Sequence, residues 1–313
     1  MTNAASVKDR LKNEAISTQR SMQDLLIIYG LERTICRISI SKYASSFTLK
    51  GGIFLYALYN GEFARATRDI DLLANRLPNE TDQMKDIFQE ILSIPFDDAL
   101  QYDLNSIEVT SITEWKTYHG VNISVMAYLD RTRIPISMDI GYDDIVYPER
   151  VKMDFPVLLD MNTPTVFAYS IYSAIAEKFE SIVTLGLANS RYKDFYDIYL
   201  LATTHDLDGA TLKEAILLTF KHRKTGFNDI VAFSKTFSDD PYRQTHWLAF
   251  TKKKKALLQV SFNQVMTTLT SLLEPIIDSI QKETSYEMQW KSAEKNWGLK
   301  DCNRSSSCPS WIT

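Results

Sequence analysis

The spacing of apolar residues changes along the chain, and each spacing predicts a different element. Over residues 1–45 the apolar side chains recur with helical spacing, with Gly30 as a candidate break between two helices. In residues 45–52, Phe47 and Leu49 alternate with polar neighbours and Gly51-Gly52 follows, which predicts a strand that enters a turn. Residues 53–61 are mostly apolar and end in Asn-Gly, as is typical of a short buried helix.

A second strand is predicted where Ile70 and Leu72 alternate with Asp69 and Asp71. Because successive side chains of a strand point to opposite faces, we expect the two aspartates on one face. The dipeptide Asp130-Arg131 separates two apolar alternating segments and predicts a hairpin. The remaining patterns of this half predict a helix over 80–93 and strands near 107–111, 121–129 and 133–140.

The second half of the chain has a different pattern. From about residue 164 the spacing is helical almost to residue 290, with interruptions near 206–209 and 239–241. The last residues are polar and offer little for a core. We therefore predict an α+β protein with three parts: a core with N-terminal helices over 1–160, a helical C-terminal domain over 161–290 and a poorly ordered tail over 291–313.

Composition narrows the class of protein. Hydrophobic residues make up 45% and charged residues 24%, which is ordinary for a globular protein. No apolar run approaches the roughly 18 residues that span a bilayer, the N-terminus lacks the apolar segment of a secretory signal, and three scattered cysteines do not form a disulfide framework. These features predict a cytoplasmic protein. The net charge of -4 argues against non-specific coating of nucleic acid, although a local basic surface stays open.

The first candidate site combines a diglycine turn with a pair of carboxylates. Asp69 and Asp71 on one strand face would repel each other unless a cation lies between them, and hard oxygen ligands suit Mg²⁺. The turn Lys50-Gly51-Gly52 opens a helix and could offer backbone N–H groups to phosphates. The order and spacing of the two features predict a site for a metal-bound nucleoside triphosphate.

Asp139 ends a later predicted strand and is a candidate third metal ligand. A third carboxylate would suit a two-metal arrangement, in which one ion activates a hydroxyl and the other neutralises a leaving pyrophosphate. The alternative is a solvated strand end, and the sequence alone leaves both open. Asp143 and Asp144, just beyond, are expected in a turn.

A further cluster lies in the helical half, where Lys178 precedes Arg191, Asp194 and Asp197. Residues three apart can meet on a helix surface, so this cluster is either an interhelical salt bridge or a phosphate-binding lysine with an aspartate beside it. Two basic runs, residues 221–224 and 252–255, are either solvated helix faces or an RNA-binding surface.

These segments resemble one protein family. The AbiEii/AbiGii nucleotidyltransferase toxins, which include the MenT toxins, have a first motif similar to FTLKGGIFLYALYNGEFARATRDIDLL. Their later strand motif resembles IPISMDIGYDDIVYP, and their lysine and aspartate motifs resemble AEKF and NSRYKDFYDIY. The resemblance extends over most of the chain. It implies a polymerase-β-like nucleotidyltransferase core with a helical C-terminal region, Mg²⁺ as cofactor and an NTP as substrate. It also implies that RNA receives the nucleotide, with the acceptor end of tRNA as the leading candidate, and that a cognate antitoxin is the protein partner.

The resemblance also implies roles for particular residues. Asp69 and Asp71 would bind metal, Lys178 would bind the triphosphate, and Asp194 or Asp197 would fill the later acidic role. The positions that the resemblance and the turn together assign to nucleotide binding are Lys50, Gly51, Gly52, Arg65, Thr67 and Lys178. Two departures from the family pattern are Tyr172, where an acidic residue is expected, and Asp143, where glycine is expected. The alternatives are transfer to a protein hydroxyl and a non-catalytic module with the same fold.

Overall fold

The computed structural model describes residues 2–62, 67–113, 119–228, 230–252 and 259–300. The chain forms two compact units, Met1–Ser170 and Ile171–Thr313. Each unit has its own buried core of aliphatic and aromatic side chains.

The described residues of the first unit form four α-helices, one short 3-10 helix (Ala44–Ser46) and seven strands. The helices are α1 (Ala4–Thr18), α2 (Met22–Ile40), α3 (Gly51–Leu58) and α4 (Thr81–Leu92). The strands are β1 (Phe47–Lys50), β2 (Ile70–Ala74), β3 (Leu100–Thr113), β4 (His119–Leu129), β5 (Thr132–Tyr142), β6 (Val151–Asp154) and β7 (Thr165–Ala168).

All seven strands belong to one mixed sheet in the order β3-β4-β5-β2-β1-β7-β6. β2 runs parallel to β5, and β1 runs parallel to β7, whereas the other neighbours are antiparallel. The hairpin predicted across Asp130-Arg131 is confirmed, because β4 and β5 pair on either side of it, with Leu129 opposite Thr132. The central position of β2 brings together strands that are far apart in sequence.

Helix α2 packs on this sheet through a glycine. The sequence indicated Gly30 as a break between helices, but it lies inside α2, and the break falls at residues 19–21. A Cβ atom at Gly30 would lie 2.5 Å from Ile136 Cδ1 and 2.8 Å from Ile134 Cγ2. The glycine is therefore explained by the close approach of the helix to β5 rather than by chain reversal.

The second unit is helical with a small sheet. Its helices are α5 (Ile171–Leu185), α6 (Tyr192–Thr204), α7 (Gly209–His222), α8 (Lys235–Ser238), α9 (Pro241–Lys252) and α10 (Phe262–Gln281). Its strands are β8 (Leu207–Asp208), β9 (Met288–Lys291) and β10 (Asn296–Leu299), in the order β10-β9-β8. The small sheet was not predicted from the sequence.

The boundary between the units differs from the sequence prediction of residue 160. Residues 151–154 and 165–168 form β6 and β7, and Ala168 of β7 lies opposite Leu49 of β1. The backbone N–H of Tyr169 also donates to the carbonyl oxygen of Leu49 at 2.9 Å. These hydrogen bonds attach the chain up to Ser170 to the first unit.

The prediction of a poorly ordered tail from residue 291 is wrong for residues 291–299, which form the end of β9, a turn and β10. Trp290 is fully buried, and its indole N–H donates to the carbonyl oxygen of Ala202 at 2.7 Å. Trp297 contacts it edge-on, with ring centroids 5.5 Å apart. Two tryptophans therefore anchor the hairpin. Residues 301–313 of the predicted tail lie outside the described residues.

Among the described residues, every helix is too short or too polar to cross a bilayer.

Candidate active site

Three carboxylates meet at the centre of the large sheet. Asp69 directly precedes β2, Asp71 lies on it, and Asp139 lies opposite Asp71 on the parallel neighbour β5. One oxygen from each of the three side chains lies within 4.8 Å of the others, and all three residues are half-buried. The structure thus brings together the three residues that the sequence indicated as metal ligands.

The diglycine positions one of these carboxylates. Gly51 has a φ of 61° and begins α3, and a Cβ there would lie 2.0 Å from the Oδ2 atom of Asp71. The backbone N–H of Gly52 donates to the same oxygen at 3.2 Å. The N–H groups of this turn were predicted to face phosphates, whereas the Gly52 N–H binds Asp71 in the structure. The carboxylate lies at the positive end of the α3 dipole, which stabilises its charge.

Asp139 is oriented by its neighbour in the β4–β5 hairpin. Asn122 lies opposite it, and the Asn122 side-chain N–H donates to Asp139 Oδ1 at 2.6 Å and to Ser137 Oγ at 3.0 Å. The second hydrogen bond fixes the amide, and the amide in turn fixes the carboxylate. Ligand carboxylates in metal sites are commonly held in this way.

Lys50 and Thr67 flank the carboxylates. The Lys50 ammonium pairs with Asp144 at 2.6 Å, with side chains only 14% and 8% exposed, and it lies 5.5 Å from the ring centroid of Tyr169. The Thr67 hydroxyl is buried and lies 3.4 Å from an oxygen of Asp69. Arg65, the remaining residue predicted to bind nucleotide here, lies outside the described residues.

The donor set fits a small divalent cation. Carboxylate oxygens are the ligands that Mg²⁺ prefers, and oxygens no more than 4.8 Å apart are near the spacing found around one or two such ions. Three like charges in a half-buried position also repel each other, and a bound cation removes that repulsion.

The second unit holds the lysine and aspartates of the later motifs. The Lys178 ammonium on α5 lies 2.8 Å from Asp197 Oδ2 and 3.3 Å from Asp194 Oδ1, both on α6. The Arg191 Nε–H donates to the second oxygen of Asp194 at 2.8 Å. The aspartates are buried, whereas Arg191 is 42% exposed. The interhelical salt bridge considered from the sequence therefore exists, and Arg191 extends it to the surface.

Sequence reasoning missed Asn122 and Asp144. Asn122 could have been found, because a hairpin that turns at Asp130-Arg131 places residue 122 opposite residue 139. Asp144 was expected in a turn, and no local pattern indicates that it pairs with Lys50. That contact depends on the pairing of distant strands.

Comparisons with known proteins identify the family and the fold of the chain. Residues 33–279 match the family model described as Nucleotidyl transferase AbiEii toxin, Type IV TA system. The solved structure of MenT4, a nucleotidyltransferase toxin from Mycobacterium tuberculosis H37Rv, is 14% identical with a TM-score of 0.52, and the match covers 91% of this chain and 100% of MenT4. JHP933 from Helicobacter pylori is 15% identical with a TM-score of 0.45, over 81% and 92% of the two chains. No curated protein matches the chain. The likeness to MenT4 confirms the predicted fold class.

Proposed function

Because the chain belongs to the AbiEii family, the nucleotidyltransferase toxins of type IV toxin–antitoxin systems, we propose that it transfers a nucleotide from an NTP to RNA. The tRNA acceptor end is the proposed acceptor, and a cognate antitoxin is the proposed protein partner. The observation that carries this proposal is the meeting of Asp69, Asp71 and Asp139 at the centre of the sheet.

In this reaction an RNA 3′-hydroxyl attacks the α-phosphorus of the NTP and pyrophosphate leaves. Asp69, Asp71 and Asp139 are the residues that would hold Mg²⁺. Bound there, Mg²⁺ would favour deprotonation of the attacking hydroxyl and neutralise charge on the leaving group.

The protein's own contribution is to hold charged groups in fixed positions. Gly52 and Asn122 fix the carboxylates of Asp71 and Asp139 by donating hydrogen bonds to them. Asp194 and Asp197 fix the ammonium of Lys178, which we assign to the triphosphate. Preorganised charges of this kind act without reorganisation at the moment of reaction.

A label-transfer assay tests the proposal. Purified protein is incubated with Mg²⁺, total RNA, a cell lysate and each NTP labelled at the α-phosphate. Label is expected in the tRNA fraction for the wild type. Asp71→Asn is expected to lower transfer by at least on the order of 100-fold, because the site loses a charged ligand. The matched control is Asp86→Asn, which removes an exposed carboxylate on α4 and should leave transfer unchanged.

Each other outcome has a clear meaning. Label in protein rather than RNA would reject RNA as acceptor and support the protein hydroxyl considered from the sequence. Transfer that persists in Asp71→Asn, or that is unaffected by removal of divalent cations with EDTA, would reject the metal-dependent site.

A further inference from the structure

Helix α9 carries an exposed aromatic pair. Its buried side is formed by Arg243, Trp247 and Thr251, whereas Tyr242 is 68% exposed. In the described part of the chain, no other phenylalanine, tyrosine or tryptophan is as exposed. His246, one helical turn later and also exposed, lies with its ring centroid 4.1 Å from that of Tyr242. Two polarisable rings are thus presented together on one face of the helix.

The aromatic pair also contacts the start of α6, next to the arginine that pairs with Asp194. The ring of His246 is parallel to that of Tyr192, with an angle of 4° and centroids 6.4 Å apart. The residue before Tyr192 is Arg191, whose guanidinium contacts Asp194 and reaches the surface. The row of three rings therefore ends at the buried Tyr192, which follows the exposed Arg191 in the sequence.

The row is held rigidly. Arg243 of α9 donates to the carbonyl oxygens of Leu187 and Asn189, in the segment just before Arg191, and its guanidinium carbon lies 3.8 Å from the ring centroid of Phe237. The Trp247 indole N–H donates to Val260 at 2.7 Å. These contacts fix α9 against the start of α6, so little conformational entropy is lost when a ligand binds.

We propose that Tyr242 and His246 form a stacking platform for unpaired bases of the RNA substrate, with Arg191 contacting the backbone phosphate. Aromatic side chains next to cations are the arrangement by which proteins bind single-stranded nucleic acid, since every base has a π-face. Lys193 and Lys252 add further exposed positive charge on α6 and α9. The inference rests on the proposed function, since it names the surface that would bind the RNA.

The test measures RNA binding without NTP. A fluorescent single-stranded RNA and the blunt-ended duplex of the same sequence are titrated with the full chain, and anisotropy is followed. Tyr242→Ala is expected to weaken single-strand binding about fivefold to about a hundredfold, the range for loss of one stacked base. Tyr242→Phe should restore it, because the ring is kept. Leu248→Ala, an exposed residue 57% accessible on the same helix, is the control and should bind like the wild type.

Steady-state kinetics provide a second measurement. In Tyr242→Ala the KM for RNA should rise while the KM for NTP and the kcat at saturating RNA stay as in the wild type. Unchanged single-strand binding, an equal loss of duplex binding or a rise in the KM for NTP instead would each overturn the platform. The binding arm uses no NTP, so it decides this point even if label transfer to RNA fails.

Discussion

At the residue scale, the structure explains the diglycine more fully than its sequence position does. A glycine turn before a helix is commonly read as a phosphate cradle, and the sequence alone supports that interpretation. The structure shows a tighter constraint, because Gly51 lies against the carboxylate of Asp71 and has a positive φ. Glycine is required here because the Asp71 side chain lies where a Cβ atom would be.

Gly51→Ala should therefore reduce both activity and stability. The new methyl group would collide with Asp71 Oδ2 and move that carboxylate, and a displacement of about 1 Å can cost on the order of 100-fold in rate. The positive φ adds about 1–2 kcal/mol of destabilisation. Label transfer and thermal unfolding measure the two effects. Gly226→Ala, where a Cβ meets nothing within 4 Å, is the control. Wild-type kcat in Gly51→Ala would contradict this account.

At the element scale, what the sequence could predict depended on local patterning. The β4–β5 hairpin was predicted from its turn, and its register could also have identified Asn122 as the residue opposite Asp139. The neighbours of β2 were not predictable, because parallel pairing with β5 leaves no local signal. Strands β6 and β7 were missed since each spans only four residues next to prolines.

A buried carboxylate also joins two elements of the second unit. Glu180 of α5 accepts hydrogen bonds from Thr184, Thr225 and Arg223, the last at 2.9 Å from a position just after α7. Burial by itself raises the pKa of Glu180, but these hydrogen bonds and the positive charge of Arg223 outweigh it and lower the pKa. The contact therefore stabilises the fold only while the carboxylate is ionised.

The pH dependence follows from that direction. Because the folded pKa is below the unfolded value of 4.5, the stabilisation is present above pH 4.5 and is lost as the pH falls through the folded pKa. Glu180→Gln should lower the free energy of unfolding by about 2 kcal/mol at pH 7, and the difference from the wild type should shrink below pH ~4.5. Urea unfolding at several pH values checks this. Glu294→Gln, at an exposed site, is the control. A difference that is constant with pH would refute the assignment.

At the scale of the whole molecule, metal binding should increase the free energy of unfolding. Asp139 joins the other two carboxylates only when β2 and β5 are paired, so a cation held by all three would bind the folded protein and shift its unfolding equilibrium. This links a catalytic proposal to a measurement that needs no substrate.

Mg²⁺ should therefore raise the unfolding temperature of the wild type. At a Mg²⁺ concentration ten times its Kd, the free energy of unfolding should rise by about 1.4 kcal/mol. Asp139→Asn should remove most of that increase. Without Mg²⁺ the variant should be at least as stable as the wild type, because one of three repelling charges is gone. Differential scanning fluorimetry with and without EDTA measures both. An equal Mg²⁺ shift in the two proteins would mean that the ion binds elsewhere.

The pairing of β2 with β5 also determines when the proposed metal site can form during synthesis of the chain. Asp71 and Asp139 become neighbours only after β5 has been made and has docked beside a strand formed much earlier in the chain. Contacts between such distant segments form late in folding. On the ribosome, the proposed metal site therefore cannot assemble until the chain has been synthesised through β5, which ends at Tyr142.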